Sequence, residues 1–494
     1  MTPSALRRRW LFADQLGPYF LDAPDQPVLI IESRRVFERL AFHRQKAHLI
    51  LSAMRHRAAE LGDQCRYIQA DTYREALAQV DEPLDVLQPT SYKAVRFVDR
   101  LAAERDLRRL PARGYATSRA EFTRWADGRG AKRLLMEDFY RDARQRLDVL
   151  MAGGEPVEGR WNFDAENREP PPKSADTLGL PEPSWPVEDE IDAQVRADLD
   201  RWQSEGTRFV GEDGPRTFAA TRAEALGALD DFIQHRLHLF GRYEDAVLDG
   251  DRWMSHSMLS APLNLGLLDP MEEVRAAEDA FVEGHAPIQS VEGFIRQVIG
   301  WRDYIWNLYW YLGEEYRDNN ELEARGDLPT WFSELDPSGT RAACLTWALT
   351  SVRETGWAHH IPRLMILGNY ALQQGWEPLQ ITDWFHRSFV DGYDWVMVPN
   401  VVGMSQHADG GVLATKPYVA GGNYINKMTN LCEGCVFDPK VRVGEDACPY
   451  TAGYWRFLHR NRERFSRNHR MFQVMRGLDR LKDLDELLAQ TPPD

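Results

Sequence analysis

Two hydrophobic periods divide the chain. In the first third, short apolar runs alternate with stretches of helical spacing. Val28-Leu29-Ile30-Ile31 is apolar and rich in β-branched residues, which predicts a strand. His43 to Leu61 then places Ala47, Ile50, Leu51, Met54 and Ala58 on one helical face. Arg66-Tyr67-Ile68 predicts a second strand, Tyr73 to Val80 a helix, Asp85-Val86-Leu87 a third strand and Val95 to Leu101 another helix. This alternation over residues 1–150 predicts an α/β domain with a parallel, Rossmann-like sheet. No G-x-G-x-x-G and no P-loop accompanies it, so the usual nucleotide fingerprints are absent.

The pattern then breaks. From about residue 151 to 215 the chain carries Glu169-Pro170-Pro171-Pro172, then Pro181, Pro183 and Pro186 among acidic residues. Proline at this density disfavours a long helix, so a surface connector is expected, with Trp161 and Phe163 docking its first part. From about 216 to 494 the periodicity is almost wholly helical: Ala223 to Leu239, Val291 to Leu312, Ala342 to Val352, Ile361 to Leu372, Ile381 to Phe389 and Tyr454 to Leu488. Between Val390 and Tyr424 the Gly, Asn and Pro content predicts irregular chain.

A length of 494 residues implies more than one core. No apolar segment reaches membrane-spanning length, and the arginines in Met1 to Trp10 are not followed by the apolar stretch of a signal peptide. A cytoplasmic protein with no membrane partner is expected. The net charge of −16 argues against indiscriminate nucleic-acid binding. Lys416 to Lys482 nevertheless holds thirteen Lys/Arg against six Asp/Glu, a local basic face that suits a polyanion or a solvated helical surface.

Four of the five cysteines, Cys344, Cys432, Cys435 and Cys448, fall in one region. A C-x-x-C pair with two remote thiols can close a tetrahedral metal site. By spacing, structural zinc and a [4Fe–4S] cluster both fit, with four unlinked thiols as the bland alternative. Cys65 is expected as a lone buried thiol. His359-His360 opens an apolar helix, where a histidine is either a general acid or a structural hydrogen-bonding group. Ser255 to Ser260 precedes another apolar helix and would either cap it or face an anion.

Taken together, Val291 to Tyr304, His359-His360-Ile361-Pro362-Arg363-Leu364-Met365, Pro399-Asn400-Val401-Val402-Gly403-Met404-Ser405-Gln406, Lys416-Pro417-Tyr418, Gly422-Asn423-Tyr424-Ile425 and Arg160 to Arg168 resemble the photolyase/cryptochrome superfamily. With the four cysteines, they resemble its bacterial iron–sulfur branch, the prokaryotic (6-4) photolyases and cryptochrome-like proteins. The resemblance covers nearly the whole chain and is densest from Trp253 onward. It implies an antenna-type domain at 1–150, the connector at 151–215, and a helical FAD-binding catalytic domain at 216–494 with a [4Fe–4S] cluster on Cys344, Cys432, Cys435 and Cys448. Ser257, Leu259 and Ser260 would lie at the flavin diphosphate, and Gln297, Arg302, Asp391 and Asn400 would line the flavin. His360, with His359 beside it, would be the acid acting on the lesion. The implied activity is light-driven repair of (6-4) photoproducts in UV-damaged DNA by a monomer, with phosphate contacts from Lys416, Lys427 and the arginines after Arg456. The alternatives are a blue-light receptor on the same scaffold, or a DNA-binding protein with a structural cluster and no flavin.

This sequence departs from the branch at three places. The electron-transfer pair reads Trp384-Phe385 where relatives have Trp-Tyr, and Trp331 is the nearest candidate for the second tryptophan. Relatives often carry an acidic residue near Met397. A 6,7-dimethyl-8-ribityllumazine antenna would need an acidic residue and a tyrosine where this chain has Val36 and Arg39.

Overall fold

Arg8–Leu11 (β1), Val28–Ser33 (β2), Cys65–Ala70 (β3), Leu84–Leu87 (β4) and Leu107–Leu110 (β5) form one parallel sheet in the order β3-β2-β1-β4-β5 in the computed structural model, which describes residues 7–130 and 132–490. Residues 1–6, the start of the Met1 to Trp10 stretch read as lacking a signal peptide, lie outside the described residues. Register places Trp10 beside Leu29 and Val86. Along β1 and β2 side chains alternate: Leu11, Val28 and Ile30 join one core, and Trp10, Leu29 and Ile31 the other. The first of these cores continues into the helical region through Leu259, Val291 and Ile295. The sheet is therefore packed directly on the helices that carry the chemistry.

The expected α/β alternation is present, and two strands escaped the hydrophobic pattern. β1 begins Arg8-Arg9, yet it is central. Arg9 is fully buried because its guanidinium reaches Asp22 at 2.6 Å and the Phe20 carbonyl. β5 is an edge strand whose Arg108 and Arg109 face solvent, a common protection of an open edge. Cys65 opens β3 and is half-buried, not enclosed in a turn.

The proline-rich stretch also differs from expectation. It contains the 15-residue helix Glu190–Ser204, packed on Arg44–Leu61. The prolines stop at Pro186, and Asp189 with Asp192 forms a capping box that starts the helix. Phe163 is buried as expected. Asp192 is also buried and accepts two hydrogen bonds from Arg216, at 3.0 and 3.1 Å. Burial would raise its carboxyl pKa, but the Arg216 contacts outweigh this and hold it below the usual range.

Three helical rods widen into π-helix, at Arg296–Arg302, Pro362–Gly368 and Pro399–Ser405. The first interrupts the expected Val291–Leu312 helix without ending it, between Ile288–Ile295 and Asp303–Leu312. The third, with Asp394–Val398 before it, replaces the first part of the irregular chain expected after Val390, and residues 406–421 are irregular as expected. Pro399 has no N–H to give to an α-helical ladder, and the wider turn accommodates it. Gly368 and Ser405 bring the second and third rods together: a Cβ at Gly368 would meet the Ser405 hydroxyl at 2.2 Å. Among the described residues no helix is long and apolar enough to cross a membrane.

The Asp192–Arg216 pair yields a stability prediction. Asp192→Asn leaves a buried guanidinium short of charge and should lower unfolding free energy by about 3 kcal/mol. Denaturant titration checks this, and a loss below about 1 kcal/mol would show that Glu224 alone satisfies Arg216.

Candidate functional site

The first two π segments present arginines to one centre. From the second, Arg363 makes a two-pronged pair with Asp391, both bonds 2.9 Å. Ser260 donates to the same carboxylate at 2.7 Å, and the Asn264 amide donates to the Asp391 carbonyl at 3.1 Å. Arg302, from the first segment, donates to the Gly114 carbonyl at 2.9 Å and reaches Asn264 at 3.5 Å. Its guanidinium lies over Tyr115, 4.6 Å from the ring centroid. The structure therefore brings Ser260, Arg302 and Asp391 together, with Asn264 and Arg363 as the links.

The helix after the serine run is only Ser260–Asn264, and no side chain caps it. Capping does not explain these serines: Ser260 is turned to Asp391, and the Ser257 hydroxyl accepts from the Leu259 N–H at 3.4 Å. Met254 and Met258 adopt left-handed backbone, φ 47° and 59°, which is costly for these side chains. Such strain persists where surrounding contacts impose the loop's shape. Leu259 is buried in the core beside it. Asn400 is spent on its own rod, donating to Val396 O at 2.8 Å. Gln297 faces away from Asp391 and donates to Glu244 at 2.5 Å.

Glu244 leads to the histidines. Burial pushes its carboxyl up to about 7, against the attraction of Arg296 and His360. Its neighbour Asp245 accepts from His360 Nε2 at 3.0 Å across 115 residues of chain. His360 is about half exposed at the rim, whereas His359 and His256 are buried. His256 and His359 stack with centroids 4.2 Å apart and planes 21° apart. His359 has no hydrogen-bond partner on either nitrogen, and His256 none on Nε2. One nitrogen of each histidine lies within 4.8 Å of the other two.

The three rings are electrostatically distinct. Burial drives His256 and His359 well below the ordinary imidazole value, and a charge on His360 drives them further. Burial also pulls His360 down, but its hydrogen bond to Asp245 and that carboxylate's charge more than offset this, and the net shift is upward. Of the three rings, only His360 is shifted toward its charged form.

The aromatic pair has unexpected neighbours. Trp384 is buried and donates to Phe332 O at 3.0 Å. Phe385 stacks on Phe389, 5.3 Å and 11° apart, and Phe389 lies under the Arg363 guanidinium at 4.2 Å. Trp331 packs on Phe332 and Trp376.

The four cysteines line one small cavity, with Ala342, Gly422, Phe437, Pro439 and Tyr450. Cys344 sits in the first turn of Ala343–Thr355, and Cys448 precedes Pro449–Arg460. Gly434, at φ 78°, turns the chain between Cys432 and Cys435. A Cβ at Gly422 would meet the Cys448 sulfur at 2.7 Å and Pro439 Cα at 3.1 Å, so the cavity wall admits no side chain there. Burial and the other thiols push Cys344 well up and Cys432 to about 12. Zinc–sulfur bonds of about 2.3 Å would put tetrahedral sulfurs about 3.8 Å apart. Among the described residues, the groups converging within 4.8 Å include no trio of these sulfurs. The wider cradle fits a polynuclear centre.

Several residues were invisible to spacing. Asn264 and Glu244 carried no local signal, and Asp245 becomes meaningful only beside His360. Of the basic residues, Lys416 and Lys427 are exposed, whereas Arg456 and Arg460 are tied to the carbonyls of Leu487, Gln490, Leu372 and Gln373. Those two arginines are structural and are removed from the candidate phosphate contacts.

The family described as deoxyribodipyrimidine photo-lyase-related protein matches residues 9–207. The chain is 40% identical over 488 residues to a (6-4) photolyase of Agrobacterium fabrum, covering 94% of this chain and 93% of that protein. Its fold is similar to a bacterial class III photolyase from Agrobacterium tumefaciens, with a TM-score of 0.55 and 14% identity over 99% of this chain and 93% of the other. It is also similar to a Synechocystis cryptochrome, with a TM-score of 0.54 and 12% identity over 98% and 92%.

The glycine in the cysteine wall gives a direct check of the cavity. Gly422→Ala should force Cys448 or Pro439 aside and lower stability by about 1–3 kcal/mol. An unchanged unfolding midpoint would show that the wall yields freely.

Proposed function

The chain belongs to the photolyase/cryptochrome superfamily, and on that premise we propose that it repairs (6-4) pyrimidine photoproducts in UV-damaged DNA under light. The observation that carries this reading is the His360–Asp245 hydrogen bond, with the His360 imidazole shifted toward its charged form while its two histidine neighbours are shifted away from theirs. His360 is about half exposed, so it can meet a ligand from solvent.

FAD is the cofactor this reading assigns to the pocket, with Ser257, Leu259 and Ser260 toward its diphosphate and Arg302, Arg363, Asp391, Asn264 and Asn400 along it. The bound flavin supplies one-electron chemistry under light. The chain's own residues supply the rest. His360 donates its proton to the hydroxyl that the lesion carries, assisting its return to the neighbouring base. Asp245 orients the imidazole and keeps it charged, while His256 and His359 pack behind it without competing for the proton. Gln297 positions Glu244 as a further acid of the same wall. The lesion is flipped out of the duplex to reach this wall, which is easiest for an already unstacked base pair. Lys416 and Lys427 serve as phosphate contacts.

Cys344, Cys432, Cys435 and Cys448 would hold a [4Fe–4S] cluster, whose contribution here is to tie the 343–355 helix to the chain after residue 421. The units proposed are an antenna-type domain at 1–150, a connector at 151–215 and a catalytic domain at 216–494, acting as a cytoplasmic monomer. Val36 is half-buried and Arg39 exposed, and neither reproduces the acidic and phenolic contacts a ribityllumazine needs. The chain is proposed to work without that antenna.

Irradiation of the reduced protein with a (6-4)-containing oligonucleotide should restore intact pyrimidines, and His360→Ala should remove this activity. The pH profile tests the pair. The folded pKa of His360 is raised, so the imidazolium is complete on the acidic side and repair is lost as pH rises through that pKa. Asp245→Asn removes the main raising interaction, and the alkaline loss should move to lower pH. An unmoved alkaline limb would assign it to another group.

A further inference from the structure

Phe385 cannot serve as the middle electron carrier that its position would otherwise suggest, because an unsubstituted benzene ring is far harder to oxidise than tyrosine or tryptophan. The structure also turns Phe385 away from Trp331. It faces Phe389 and the Arg363–Asp391 centre, on the inner side of Trp384.

A different file of rings leaves Trp384 on its outer side. Phe332 lies 4.6 Å from Trp384 and 4.8 Å from Trp376, centroid to centroid. Trp331 is 6.4 Å from Trp376 and only half-buried. The Trp384 and Trp376 rings thus flank one phenylalanine, and their separation cannot exceed the sum of those two spacings. That is a short tunnelling step through packed aromatic matter. Trp376 is buried, which disfavours early proton loss from an oxidised indole, whereas Trp331 meets solvent. Trp331 also touches Phe332, at 5.6 Å, but Trp376 lies nearer that bridge and is buried, whereas Trp331 is the solvent-side member.

Resting on the flavin reading above, we propose that Trp376 is the middle electron carrier of this protein, in place of the tyrosine that Phe385 displaces. One electron leaves Trp384 for the photoexcited oxidised cofactor. Trp376 refills Trp384, and Trp331 refills Trp376. The oxidised Trp331 takes an electron from a thiol reductant in solution. No bond is made or broken along the file, and one electron enters for each that leaves.

Two neighbouring routes make the proposal specific. Trp376 also touches Tyr370 at 5.5 Å, which touches Tyr450 of the cysteine cavity at 5.6 Å. On the opposite side of the Arg363–Asp391 centre, Tyr115 stacks on Trp306 at 3.9 Å and 4°, under Arg302. Either file could carry an electron in principle, and each has its own variant.

The test uses flavin-loaded, full-length protein with excess thiol under blue light, following the tryptophan-radical signal by transient absorption and electron paramagnetic resonance. Trp376→Phe should slow photoreduction by at least an order of magnitude and remove the long-lived radical, with flavin content unchanged. Trp376→Tyr, which keeps an oxidisable ring, should restore much of the rate and show that the loss is not a packing defect. Tyr370→Phe and Trp306→Phe should both behave as the parent. Parental rates and radical yield in flavin-loaded Trp376→Phe would overturn the proposal, as would loss of the signal in Trp306→Phe instead. A parent protein that binds no flavin would overturn the flavin reading itself, an outcome visible before any light is applied.

Discussion

Arg363 and Asp391 hold each other by two hydrogen bonds, and the rest of the site is arranged around that pair. Arg363 belongs to a π segment, Asp391 to the turn after Ser388, and Ser260 and Asn264 to the short helix that follows the strained Met254–Met258 stretch. The α/β layer is joined to the same turn. Lys46, on the Arg44–Leu61 helix, donates to the carbonyls of Gly392 and His386. Burial lowers its ammonium pKa to about 7 despite the attraction of Asp391. A buried ion pair is a weak source of net stability, but removing one partner strands the other charge. The pair is therefore better understood as fixing geometry: three chain segments far apart in sequence meet at one carboxylate.

Much of the fold could be read from hydrophobic period, because β2 is the continuous apolar run of a strand buried on both faces and the Arg44–Leu61 helix keeps its apolar residues at helical spacing. The failures have local causes. Arg8 and Arg9 disguise the central strand β1, since burial of Arg9 depends on Asp22, which no periodicity announces. Counting prolines over the whole connector concealed the proline-free helix that follows Pro186. Pro399 suggested a break where the chain instead widens its helical turn. π segments leave the apolar pattern almost unchanged, so they escape any spacing rule.

The site was partly legible for a different reason. Resemblance supplied Ser260, Arg302, Asp391, His360 and the four cysteines, and the structure gathers Ser260, Arg302 and Asp391 at one centre and the cysteines around one cavity. It could not supply what depends on pairing in space. His360 differs from His359 not by its position in sequence, where the two are adjacent, but because Asp245 faces one and the His256 ring the other. The helix start that carries them turns the two rings to opposite fates, one charged at the rim and one neutral in the wall. Likewise the oxidisable partner of Trp384 is set by Phe332, which stands between two tryptophans that sequence places eight residues apart.

The central claim is that one proton resides on His360 and that Asp245 keeps it there. Nitrogen NMR of histidine-labelled protein, titrated across the neutral range, measures this directly for each ring. The account predicts that His360 alone titrates above the ordinary imidazole value, that His256 and His359 stay neutral throughout, and that Asp245→Asn lowers the His360 midpoint. A proton found on His256 or His359, or a His360 midpoint indifferent to Asp245, would contradict it.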